Sequence, residues 1–257
     1  MITVTNLSYS YQNTRVLKNI NACFPEQQLT SLIGPNGAGK STLLMSIGRL
    51  LGGDKKCITL NHRPISEIPT KELALKIATL RQTTNIDLRI TVRELVAFGR
   101  FPHNRGKLTT LDNEAIDHAL AFLSISQLEN TFIDELSGGQ RQLCFLAMTI
   151  AQQTPYLLLD EPLNNLDMKH ASHIMNALRR LCDEQKRTII LVVHDINFAA
   201  NYSDHLVALK KGSVHSSGTV EQVVTQKNLQ DLYEFNIEIM PSSQGPICNY
   251  FHSTGVA

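Results

Sequence analysis

LTSLIGPNGAGKSTLL, residues 29–44, passes from a short apolar run through a glycine-rich turn into a helical pattern. The run Leu29 to Ile33 predicts a buried strand, and the helix is expected from Lys40 to about Leu50. Between them GPNGAGKST matches G-x-x-x-x-G-K-[ST], in the strand-then-helix context that a phosphate loop requires. Glycines 34, 37 and 39 let the backbone of Gly34, Pro35, Asn36, Gly37, Ala38 and Gly39 wrap phosphates. Lys40 reaches the outer phosphates, Ser41 can hold Mg²⁺ through its hydroxyl, and Thr42 closes the motif.

The rest of the chain bounds what such a loop serves. With 257 residues there is room for one sizeable core carrying an inserted subdomain. A formal net charge of +1 argues against nucleic acid as the main partner. No apolar run approaches the length of a membrane helix, and MITVTNLSYS has neither the basic nor the apolar region of a signal peptide. Cys23, Cys57, Cys144, Cys182 and Cys248 form no C-x-x-C pair and read as reduced, buried small hydrophobes.

Strand patterns come first: Ile2 to Asn6 alternates, and Ile77 to Arg81 ends at Gln82. From about residue 83 to 152 the pattern is helical. TVRELVAF carries a Thr91–Glu94 capping box, DNEAIDHALAFL follows from Asp112, and Ser137 opens a long helix. Strands return as YLLLD (156–160) and TIILVV (188–193), separated by a helix from Asp167 to about Cys182. HLVALKKGSVHSSG predicts a hairpin turning at Lys211–Gly212, and two short helices should follow, capped by Thr219 and Asn228. The expected class is α/β, with a mixed sheet, an N-terminal antiparallel β portion and an inserted helical subdomain.

A second phosphate-binding helix start is read in ELSGGQRQ, residues 135–142, where serine and two glycines precede LCFLAMTIAQ. In YLLLDEP a buried strand ends in Asp160, whose carboxylate can hold a metal or its water. Glu161 projects beyond it, where it can orient or deprotonate an attacking water; a merely polar strand exit is the alternative. His194 ends the next strand and can donate to a γ-phosphate or be structural. Gln82 can touch Mg²⁺ or the attacking water, or simply begin a loop. Tyr9 and Tyr11 share a strand face, so that one can stack on adenine while the other packs. His170 and His173 lie i, i+3 on a helix; without a third ligand nearby they read as a solvated face.

Taken together these residues resemble the ATP-binding subunit of an ABC transporter. LSGGQ (136–140) matches that family's signature, and Tyr11, GPNGAGKST, Gln82, LSGGQ, YLLLDEP, NNLD and His194 follow in the family's order. The resemblance implies a P-loop NTPase core from 1–82 and 153–218 within a single domain. It also implies a helical signature subdomain at 83–152 and a C-terminal extension at 219–257. It makes Tyr11 the adenine-stacking aromatic, Gln82 the Q-loop glutamine, His194 the switch histidine and Asp167 a dimer-interface residue. Mg²⁺ would be held by Ser41, Gln82 and Asp160, with Glu161, His194 and Gln82 serving hydrolysis. Two subunits would pair head to tail, so that Ser137, Gly138, Gly139 and Gln140 bind the ATP of the partner.

TVRELVAFGRFPH (91–103) and HDINFAANYSD (194–204) are similar to the iron–siderophore, haem and vitamin B12 importer group, the siderophore members above all. The implied partners are a separate transmembrane permease and, indirectly, a periplasmic or surface substrate-binding protein. The implied location is peripheral, on the cytoplasmic face of the cell membrane. Haem or B12 import, a soluble non-transport ATP switch and a small-molecule kinase are the competing readings; a kinase gives no reason for LSGGQ. Two departures from the family pattern, Leu163 in EPLNNLD and Leu143 in GGQRQLC, remove no phosphate or metal ligand.

Overall fold

The computed structural model describes residues 1–52, 56–81, 89–104, 106–164, 166–243 and 245–251. They form two compact units, Met1–Glu67 with Ile190–Ala257, and Ile68–Ile189.

The first unit opens with β1 (Ile2–Tyr11), β2 (Thr14–Phe24), β3 (Leu29–Ile33), α1 (Lys40–Ile47), β4 (Ile58–Leu60) and β5 (Arg63–Pro64). The second contains α2 (Thr70–Ala74), β6 (Ile77–Leu80), α3 (Val92–Phe98), α4 (Phe101–Asn104), α5 (Thr110–Phe122), α6 (Gly138–Ala151), β7 (Tyr156–Asp160) and α7 (Met168–Asp183). β8 (Thr188–Val192) leads back to the first unit, which continues through α8 (Ile196–Tyr202), β9 (His205–Lys210), β10 (Ser213–Thr219), α9 (Val220–Val223), α10 (Gln226–Tyr233), β11 (Glu238–Ser242) and β12 (Gly245–Asn249).

In the first unit β2, β1, β4 and β5 make an antiparallel sheet. β9 pairs parallel with β3 and antiparallel with β10. In the second unit β6 and β7 pair in parallel. The apolar runs explain the parallel strands: every residue of β3, β7 and β8 is buried, as strands covered on both faces must be. β1 runs on to Tyr11, beyond the alternating Ile2–Asn6 segment, because register shifts after Val4, Leu7 and Tyr9 absorb the break in alternation. The β9–β10 turn falls at Lys211 and Gly212 as expected, both with positive φ, the form a two-residue hairpin favours.

Helix starts follow local chemistry more closely than the sequence suggested. Thr91 and Ser137 make full capping boxes with Glu94 and Gln140. The helix expected after Asp112 begins earlier, at Thr110, capped by Thr109 with Asp112 as its third residue. The second short C-terminal helix is capped by Thr225 rather than Asn228, whose amide donates to the Thr225 hydroxyl. Cys144, Cys182 and Cys248 are buried as expected, whereas Cys23 is exposed on β2. The C-terminal segment is an integral shell: Val220, Val223, Leu229, Leu232, Ile237 and Cys248 pack with Ile196 and Ala199 of α8.

Candidate functional site

Within the first unit β3 delivers the glycine-rich loop. Gly34 has φ 133°, and a Cβ there would lie 2.1 Å from the Leu209 carbonyl oxygen, so no larger residue fits. α1 starts at Lys40 behind Gly39, which is left-handed and supplies no capping side chain. A glycine-led helix start of this kind is a recurrent anion-binding element. Lys40 is buried, and its Nζ donates to the carbonyls of Gly34 at 2.7 Å and Pro35 at 3.0 Å. This ammonium bridges the first two carbonyls of the loop. Asn36 and Gly37 form the exposed lip, Ala38 is buried, Ser41 is half-buried and Thr42 is buried behind it. The Ala38 carbonyl accepts from the Gly212 amide at 3.2 Å, so the β9–β10 turn braces the loop from outside.

Two further residues of this unit are placed by the same scaffold. The Val193 amide donates to the Leu32 carbonyl at 3.2 Å, and His194 follows, exposed, where β3 gives way to the glycine loop. Thus His194 and the phosphate loop emerge at neighbouring strand ends. Tyr11 closes β1 with its ring 43% exposed, held edge-on by Tyr9 at a centroid distance of 5.0 Å and 79°. An exposed ring face with a fixed edge is what stacking on a base needs.

The second unit holds the remaining candidates. Asp160 ends β7, 5% exposed. Glu161 follows at φ 51°, a left-handed conformation rare for a residue with a side chain, and its Oε2 accepts from the side-chain Nδ2 of Asn164 at 3.2 Å. Such a residue is held in place by its surroundings at some cost, and Asn164 is a contributor that pattern reading passed over.

The signature stretch is a reciprocal cap. The Gln140 amide donates to Ser137 Oγ at 3.3 Å, and the Ser137 amide to Gln140 Oε1 at 3.1 Å. The box uses the amides at its two ends and leaves those of Gly138 and Gly139 at the helix start. A Cβ on Gly139 would lie 2.9 Å from the His170 ring. His170 in turn is fixed by Asp167, which caps α7 by accepting from the His170 amide at 2.8 Å and its Nδ1 at 2.9 Å. These bonds, the backbone one foremost, hold the Asp167 carboxyl below its usual range. The histidine pair is therefore not a plain solvated face: His170 packs on the signature, His173 Nε2 meets the Leu123 carbonyl at 3.2 Å, and both border a cleft of about 690 Å³ with Gln140 and Leu143. Leu143, one of the two departures, is 6% exposed and belongs to the core.

The segment GRFPH is an anchor. Arg100 is 5% exposed and donates to Asp112 at 2.8 Å, the Ala151 carbonyl at 2.7 Å and Gln153 at 2.9 Å, which ties α5 to the end of α6. Burial would raise the Asp112 carboxyl; the Thr109 amide and the Arg100 guanidinium are among the groups that overcome it and hold it far below the carboxylate range. On the same segment Phe98, Phe101, Leu108 and Leu111 are exposed. Gln82 lies outside the described residues. Among the described residues no helix is long and apolar enough to cross a membrane.

Comparison with known proteins gives a consistent picture. The profile of the ABC transporter family matches residues 17–164. The petrobactin import ATP-binding protein FatE of Bacillus anthracis is 46% identical, over 97% of this chain and 100% of its own. The iron(3+)-hydroxamate import ATP-binding protein FhuC of Bacillus subtilis is 39% identical, over 96% of this chain and 93% of its own. Among solved structures, a dimeric bacterial ABC transporter cassette superposes with a TM-score of 0.76 at 28% identity, covering 86% of this chain and 99% of that one. A metal-chelate type ABC transporter in an inward-facing conformation gives a TM-score of 0.83 at 24% identity, covering 97% and 98%.

Proposed function

Because the chain belongs to the ABC transporter family and is an ATP-hydrolysing transport subunit of that family, we propose that it energises import of an iron–siderophore complex through a separate permease, from the cytoplasmic face of the cell membrane. The observation that carries the ATP-driven part is the pair of differently built glycine-bearing helix starts, α1 and α6. Relatives with 46% and 43% identity that carry petrobactin import in their names support the cargo class and make petrobactin the first cargo to test.

In this reading residues 1–82 and 153–218 are the nucleotide-binding core, 83–152 the signature-bearing subdomain and 219–257 an extension. Tyr11 stacks on adenine, the amides of the 34–42 loop and Lys40 hold the phosphates, and Glu161 orients and deprotonates the attacking water while His194 donates to the γ-phosphate. Hard oxygen donors, the Ser41 hydroxyl and the Asp160 carboxylate, suit Mg²⁺ shared with the nucleotide, with Gln82 as a third contributor. Bound there, Mg²⁺ would neutralise charge on the β- and γ-phosphates.

The Gly138 and Gly139 amides, with Ser137 and Gln140, then receive the γ-phosphate of an ATP held by a second copy, with Asp167 at that interface. ATP closes the head-to-tail dimer and hydrolysis reopens it. A solved relative that is dimeric supports this arrangement. The exposed Phe98, Phe101, Leu108 and Leu111, on a segment pinned by the buried Arg100, suit an apolar helix of the permease.

The test is ATPase activity in lipid with and without a siderophore permease and its loaded binding protein. Stimulation by the permease, and again by petrobactin-loaded binding protein, is expected. Turnover indifferent to any permease, with a soluble partner copurifying, would assign the chain to the non-transport branch.

A further inference from the structure

The C-terminal segment reaches the catalytic loops of its own unit, and the contacts are specific. Asn197, three residues after His194, pairs with the Cys248 backbone as a neighbouring strand would: its Oδ1 accepts from the Cys248 amide at 2.7 Å, and its Nδ2 donates to the Cys248 carbonyl at 3.2 Å. Asn201 adds a bond to the Pro246 carbonyl at 3.0 Å. The β11–β12 hairpin is thereby laced onto the helix that directly follows the histidine. On the other side Glu234 pairs with Lys210 at 3.0 Å, and Lys210 also donates to the Asp231 carbonyl, which fixes the end of α10 against β9.

These ties place Tyr233 at a particular spot. Its ring lines a cavity of about 260 Å³ together with His194, Asp195, Ile196, Phe235, Ile237 and Tyr250. The hydroxyl is buried and completes no hydrogen bond among the described residues. Burial pushes it up to about 12, and Asp195 pushes the same way, while the nearby Gly34 amide favours the ionised form. The phenol is therefore neutral at any physiological pH. The cavity it lines is bordered by His194, Asp195 and Ile196, the residues that lead from β8 into α8. Buried hydroxyls are seldom left without a partner, and when one is, a functional reason is the first to look for.

We propose that Tyr233 is a positioning residue for ATP turnover: its hydroxyl, buried and unpartnered among the described residues in the cavity bordered by His194, completes a hydrogen bond that positions the loop carrying this histidine when nucleotide is bound. The proposal rests on the reading of His194 as the γ-phosphate histidine. It gives the segment from 220 to 250 a part in turnover that its sequence, empty of motifs, does not announce.

The test compares wild type, Tyr233→Phe and His194→Ala as purified full-length chain, by kcat and KM for Mg·ATP and by melting temperature. Tyr233→Phe removes one oxygen and no packing. The expected result is kcat lower by about three- to ten-fold, the scale of one hydrogen bond. KM should stay within about two-fold, and the melting temperature should equal or exceed that of wild type. Wild-type kcat in Tyr233→Phe, or kcat and melting temperature falling together, would overturn the proposal, because the ring would then be packing alone. His194→Ala separates the two levels: if it turns over like wild type the histidine reading fails, whereas a slow His194→Ala beside a normal Tyr233→Phe sinks only the role of the tyrosine.

Discussion

The two glycine-bearing helix starts, at α1 and α6, are built in opposite ways. Ahead of α1 the backbone does the work: Gly34 and Gly39 are left-handed, no side chain caps the helix, and a buried lysine crosses the loop. Ahead of α6 the side chains do the work: Ser137 and Gln140 cap each other, and only the two glycine amides between them remain for a ligand. The first is a cradle shaped to enclose a polyphosphate chain. The second is a small, flat, finished end that can read one phosphate presented to it. A chain with two cradles would bind two nucleotides; one cradle and one end suit the proposed completion against a second copy.

The comparison breaks most visibly at its glycines. Gly34→Ala should abolish nucleotide binding, a loss of about 100-fold or more by calorimetry, since the added carbon overlaps the Leu209 carbonyl at a φ closed to alanine. Gly138→Ala meets nothing within 4 Å and should leave folding and binding as in wild type. If the two variants bound ATP alike, the cradle and the end would not differ as described.

Next in size, Ser137→Arg should lower turnover about 100-fold while the monomer still binds nucleotide, because the proposed arrangement puts the lesion on the ATP of the other copy. Binding measured with a non-hydrolysable analogue checks this, and a loss like that of Lys40→Ala would count against it.

Asp112→Asn sharpens the comparison from beneath. It leaves Arg100 buried beside a neutral amide and should cost about 3 kcal/mol in denaturant unfolding. The Asp112 carboxyl is depressed in the folded state, so its stabilisation is complete above the ordinary carboxylate range, near pH 4, and is lost as pH falls from there toward the lower folded value. Asp112→Asn should flatten that acid limb, which urea titrations at several pH values would reveal. The smallest effect belongs to Ser137→Ala, which removes one cap and should cost about 1 kcal/mol, with nucleotide binding by the monomer unchanged.

Much of this was legible in the residues themselves. LTSLI and YLLLD were read to their exact ends because an unbroken apolar run bounded by polar turns leaves a strand little freedom. The boxes at Thr91 and Ser137 are local and self-announcing. What escaped depends on distance or on backbone shape. The left-handed Glu161 and its Asn164 partner have no spelling, and the packing of His170 on Gly139 joins two helices. The β11–β12 hairpin holds through Asn197, some fifty positions away, and Pro241 and Pro246 hide its strand character. Asn228 reads as a cap because Thr225, the residue that caps, lies three positions earlier within the same polar stretch.

The central claim, that cradle and end belong to two copies closed over shared ATP, is tested most directly by Glu161→Gln. In the proposed reading the variant leaves the phosphate-binding groups intact and removes only the carboxylate assigned to the attacking water. Size-exclusion chromatography with light scattering, in Mg·ATP, should give a stable dimer that reverts to monomer in ADP. An ATP-bound monomer at the same protein concentration would contradict it.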